Sequence, residues 1–161
     1  MIIFYWAAVA IIIAYLITTI FVFKKIPKSI SDTYYQWKEK NAGFIFTAVM
    51  WVVGLLILIY WVNITELYRC QFLTFTSISG MLFVGGACAF KETLTKATHY
   101  ASAGIWAASA VAFFVVNGIY APLAFGLVFG TFGFILNEAK NLTFWAEVAC
   151  VVAMIIGIEL L

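Results

Sequence analysis

Charge is scarce in this chain: of 161 residues, only 10% are Asp, Glu, Lys or Arg. Histidine occurs once and cysteine three times. A single histidine cannot furnish a metal centre built on several imidazoles, and Cys70, Cys88 and Cys150 lack any zinc-like spacing. Cys70 and Cys88 also fall on one apolar stretch, roughly 27 Å apart at the helical rise, so they cannot pair with each other. No recognisable nucleophile, metal or cofactor motif is present, and no cofactor is expected. Neither end carries a lipidation signal. Nucleic acid is not suggested as a partner, since the net charge of +2 is explained by the sorting of lysines to one side of a membrane.

What fills the chain instead is hydrocarbon: 66% of residues are apolar, gathered into six long runs. At roughly 20 residues each, six membrane crossings use about 120 residues and leave no room for a soluble domain of any size. The expectation is therefore an all-α, polytopic integral membrane protein forming a six-helix bundle and a single domain. Spans are placed at about 1–23, 42–62, 70–90, 97–116, 121–136 and 142–161, with a long loop at 24–41. The fifth is the shortest and carries Gly126, Gly130 and Gly133. The first has no Lys or Arg at its start and a basic cluster after it, the reverse of a secretory signal, so it is read as an uncleaved span.

Basic residues sort by loop. Lys24, Lys25, Lys28, Lys38 and Lys40 follow span one, Lys91 and Lys96 follow span three, and Lys140 follows span five, while Arg69 alone lies on the other side. The positive-inside rule puts the lysine loops in the cytoplasm and both termini on the non-cytoplasmic side, in a plasma or inner membrane. Tyr5, Trp6, Tyr60, Trp61, Tyr68 and Tyr120 then sit near the outer ends of their spans, and Tyr100 and Trp145 near the inner ends, where amphipathic rings prefer the headgroup boundary. Trp51 and Trp106, nearer mid-span, are read as packing residues.

Helices in lipid associate closely through small residues. The glycines of span five, the Ala and Ser of span four and Gly80, Gly85 and Gly86 of span three predict that these three spans form the tight interior. Span two, with Trp51, Leu55, Leu56, Leu58 and Ile59, is expected to face lipid. The glycine spacing in span five suits packing within the chain, and alternatively a homo-oligomer face. In span three, Thr74 and Ser77 share one helical face directed into the bundle. Their hydroxyls are expected to bond back to their own helix or bridge to a neighbour; a polar solute path is the sharper reading.

The polar groups that hydrocarbon should exclude collect at the inner leaflet. His99 lies in the first turn of span four, Glu147 about 8 Å into span six, and Lys91, Lys96, Glu138 and Lys140 at adjoining ends. Ionisable groups are costly inside a bilayer, so Glu147 and His99 are candidates for binding; a structural role for an acid near a helix amino end is the alternative. The first loop reads KKIPKSISDTYYQWKEKN. Pro27 ends the preceding helix, Ser31 or Asp32 is placed to cap a short new one, and Ile30, Tyr34 and Trp37 follow helical spacing. Such a segment is expected to lie on the membrane surface with its rings in the headgroups and Lys38 and Lys40 toward anionic lipid. A functional version folds Ser29, Ser31 and Asp32 toward His99 and Glu147 to bind a headgroup, with Lys91 and Lys96 nearby.

At Ile30-Ser31-Asp32-Thr33 the chain resembles the six-span family that includes the damage-regulated autophagy modulators, whose first loop carries a similar Ile-Ser-Asp-Thr stretch. That resemblance implies a six-span membrane bundle. Ser, Asp and His near one membrane face are also similar to ceramidase-like hydrolases, but those hold zinc through several histidines. Three functions remain in view. The first is a non-catalytic protein that binds membrane lipid or a membrane protein partner through its cytoplasmic face. The second is a small transporter or channel using Thr74, Ser77 and Glu147. The third is a lipid hydrolase or transferase with Asp32, His99 and Glu147 as acid-base groups.

Overall fold

The computed structural model describes residues 1–88 and 92–161, without the side chains of 92–96. Among the described residues all regular structure is helical: α1 (Ile2–Phe23), α2 (Thr33–Lys38), α3 (Phe44–Ile64), α4 (Phe72–Ala87), α5 (Glu92–Val116), α6 (Ala121–Leu136) and α7 (Leu142–Glu159). Four of these, α1, α3, α5 from Ala97 onward and α7, are long and apolar enough to cross a membrane. This marks the chain as a membrane protein. Helices α4 and α6 are apolar but have 16 residues each.

The apolar runs convert into helices nearly where hydropathy places them, with two adjustments. Helix α5 begins at Glu92, five residues before the apolar run, because a helix propagates through a polar turn that hydropathy does not count. The loop at 24–41 contains the six-residue α2, with Asp32 at the N-cap position but making no side-chain cap bond. Residues 89–91, the expected end of span three among them, lie outside the described residues.

Helices α1, α3, α4 and α5 pack in sequence order, and α7 closes the ring against α1 and α5. At one end of the bundle the Tyr5 hydroxyl donates to the Ile155 carbonyl at 2.8 Å, Tyr5 lies 5.2 Å from the Tyr60 ring, and the Tyr68 hydroxyl donates to the Leu161 carbonyl at 3.2 Å. Both ends of the chain therefore sit at this end. Lys24, Lys25, Lys28, Lys38 and Lys40, all exposed, occupy the opposite end.

The expectation that span two faces lipid holds for the face of α3 that carries Trp51, Leu55 and Ile59, and fails for the other. Phe46, Met50, Val53, Ile57 and Trp61 recur at three- and four-residue intervals, and all are buried between α1, α4 and α5. Its opposite face, with Trp51 and Leu55, is the exposed one. Both faces are equally apolar, so composition could not say which turns inward.

Span five departs from expectation too. Helix α6 lies outside the ring and packs on α7 rather than on α4 and α5. It buries only Pro122, Gly126, Gly130 and Gly133, leaving Phe125, Phe129, Phe132 and Ile135 exposed. A Cβ added at Gly126 would stand 2.5 Å from the Ala149 carbonyl oxygen, and one at Gly130 would stand 2.6 Å from the Ala149 Cβ. The glycine spacing therefore serves contact within the chain, through backbone approach that any side chain would block. The tight α4–α5 contact does follow expectation: a Cβ on Gly80 would meet the Trp106 nitrogen at 2.6 Å.

Candidate functional site

The site begins with backbone groups that the ends of helices leave unpaired. The first amides of α7 have no partner inside the helix. One of them, Phe144 N–H, donates to the Lys28 carbonyl at 3.0 Å, and the Asn141 side-chain amide donates to the Ile26 carbonyl at 3.3 Å. The first loop thus acts as the cap of a helix more than a hundred residues away. One turn further along α7, the Glu147 carboxylate accepts the Ile30 N–H.

The other side of the loop is tied to α1. Tyr15 and Thr19, one turn apart on α1, are both buried; the Tyr15 hydroxyl bonds to Thr33 Oγ1 and Thr19 Oγ1 accepts the Trp37 indole N–H at 3.0 Å. Thr33 in turn donates to the Ile30 carbonyl. Residues 26–37 therefore form a strap from α1 to α7 across the lysine end of the ring. The rings expected among headgroups turn inward instead: Trp37 meets Phe23 edge-on at 5.3 Å, and Tyr34 lies 6.4 Å from Phe46. Indole and phenol groups gain hydrogen bonds and packing there that the surface does not offer. Tyr35 remains exposed.

Beneath the strap is a cavity of about 40 Å³, enclosed by α1, α3, α4, α5 and α7. Its polar lining is confined to the strap end, where Ser31, His99 and Glu147 line it beside Ile30; deeper in, Val53, Ile57, Trp106 and Met154 make it apolar. A space of this size holds a few waters and no larger solute.

The sequence candidates divide accordingly. His99, Glu147 and Ser31 share the cavity. Ser29 and Asp32 do not line it: the Ser29 and Ser31 hydroxyls lie 3.0 Å apart, Ser29 accepts the Asp32 N–H at 2.9 Å, and Asp32 accepts from the Gln36 amide at 3.2 Å. Lys91 and the Lys96 side chain lie outside the described residues. Thr74 donates to the Gln71 carbonyl at 2.8 Å and Ser77 to the Trp106 carbonyl at 3.0 Å. One hydroxyl turns back on its own helix and the other bridges to α5. All three cysteines are free thiols. Among the described residues no three of His, Cys, Asp and Glu gather as a metal site. Glu138 pairs with Lys140 on the exposed surface, where an ion pair contributes little.

Sequence reasoning missed Tyr15, Thr19, Asn141 and the backbone of residues 26–30. For Tyr15 and Thr19 a signal existed, since two hydroxyls at a four-residue interval mark one face of an otherwise apolar helix. The backbone groups had none, because every residue type supplies them. Compared with protein-family models, curated proteins and solved structures, the chain finds no match.

Proposed function

We propose that this chain is a non-catalytic, six-span membrane protein that binds a membrane lipid at its cytoplasmic end, with both termini on the non-cytoplasmic side. The observation that carries the reading is the cavity's polarity: Ser31, His99 and Glu147 at one end, hydrocarbon side chains along the rest. An amphipathic ligand matches that division, its headgroup at the strap and its chain in the apolar part. Glu147 favours a headgroup that donates hydrogen bonds, because a carboxylate only accepts. Residues 30–33, which carry the resemblance to the autophagy-modulator family, belong to the strap over this cavity. The cavity as it stands admits only water, so binding displaces part of the strap or opens the wall beside it.

Extraction in a mild detergent followed by native mass spectrometry tests the proposal. Wild-type protein is expected to retain a defined lipid, and Glu147→Ala to retain roughly tenfold less, the loss of one charge-assisted hydrogen bond. Thermal unfolding of both proteins controls for misfolding. A wild-type protein that emerges without bound lipid removes the reading.

A further inference from the structure

Two apolar spaces meet at one pair of side chains. Trp106 on α5 and Met154 on α7 line the central cavity, and the same two residues line a second hollow of about 320 Å³ between α5, α6 and α7. The Trp106 indole N–H points at the Met154 sulfur, 3.5 Å away, and both side chains are buried. They form the partition between the two spaces. It stands where α5 and α7 make only slight contact with each other, and its hydrogen bond to a thioether is a weak one. Methionine, unbranched and flexible, moves aside at little cost.

The hollow exists because α6 stands off the ring. Its walls include Ala107 and Ala110 on α5 and Leu123 and Leu127 on α6, and its floor includes Cys150 on α7. Glu147, Cys150 and Met154 recur at three- and four-residue spacing and so share one face of α7, with Cys150 lining the hollow, Glu147 the central cavity and Met154 both, over a rise of about 10 Å.

We propose that this hollow receives the acyl chain of a membrane lipid, and that Trp106 and Met154 form the gate through which the lipid reaches Glu147 and His99 sideways from the bilayer. The inference rests on the lipid-binding reading above. It commits to an acyl chain because the lining is almost wholly apolar and the hollow shares its Trp106 and Met154 wall with the cavity that holds the polar groups.

The test uses the full chain in lipid nanodiscs and a phosphatidylethanolamine carrying a diazirine in mid-chain, whose ammonium suits a carboxylate. Photolabelling is expected within 107–114 and 149–154, and excess unlabelled lipid should compete it away. Labels on the outer face of α6, at Phe125 and Phe129, should not compete. Ala107→Phe, which fills the hollow without touching the central cavity, should lower the competable labelling roughly tenfold, an overpacking effect of ordinary size. In unmodified protein, N-ethylmaleimide should alkylate Cys150 more slowly with lipid bound than after delipidation. Labelling that never competes, or Cys150 reactivity indifferent to lipid, overturns the gate; if wild type still retains lipid and Glu147→Ala does not, the binding reading survives that result. Absence of retained lipid from wild type overturns both.

Discussion

Thr74 and Ser77 stand one turn apart on α4 and are both fully buried, yet their hydroxyls have different partners. Ser77 joins two helices; Thr74 bonds within its own. Hydrogen bonds between helices in a membrane contribute on average about 0.6 kcal/mol and at most about 2 kcal/mol. Ser77→Ala is therefore expected to lower unfolding free energy by roughly 0.5–2 kcal/mol, and Thr74→Ala by less, in steric-trap or denaturant measurements. An equal loss in both would mean that the bridge to Trp106 is not what Ser77 contributes. At this scale the sequence revealed which residues are costly in hydrocarbon, so Glu147 and His99 were visible from their chemistry alone. The partners were not visible. Ile30 bonds Glu147 with its amide, and Lys28 caps α7 with its carbonyl, and neither side chain advertises that role.

Among the helices, length and location were legible because a helix that crosses hydrocarbon must carry about 20 apolar residues in succession. Orientation was not. In water one face of a helix is polar and reveals the other, whereas α3 is apolar all round, and only its neighbours distinguish Phe46 and Ile57 from Trp51 and Leu55. Small residues marked close approach correctly in α4 and α6 and named α5 as a partner of α4, but they did not reveal that Gly85 of α4 meets α3 or that the partner of α6 is α7. Replacing Gly130 with valine should push α6 away from α7, lowering stability by roughly 1–3 kcal/mol, as overpacking does. Gly104→Ala is the matched control, since nothing lies within 4 Å of its added Cβ. It should leave the unfolding temperature unchanged or slightly raised. If both glycines tolerate substitution equally, the α6–α7 contact does not depend on backbone approach.

For the whole molecule, the asymmetry of lysines and the position of both chain ends at the opposite end of the bundle support one orientation. Cys70, exposed beside Arg69 at the far end, offers a direct check. In cells whose surface membrane is shown by fractionation to hold the protein, a membrane-impermeant maleimide should label Cys70 before permeabilisation; labelling only afterwards would invert the proposed topology. The shortness of α4 and α6 has a separate consequence. Sixteen residues rise about 24 Å, against a hydrocarbon core of about 30 Å. On the proposed six-span reading, such mismatch is relieved by drawing the bilayer thinner around the short helices, at fractions of a kcal/mol per Å. Reconstituted in lipids of graded chain length, the protein should unfold at its highest temperature in the shorter ones, and in a cell it should gather where membranes are thin.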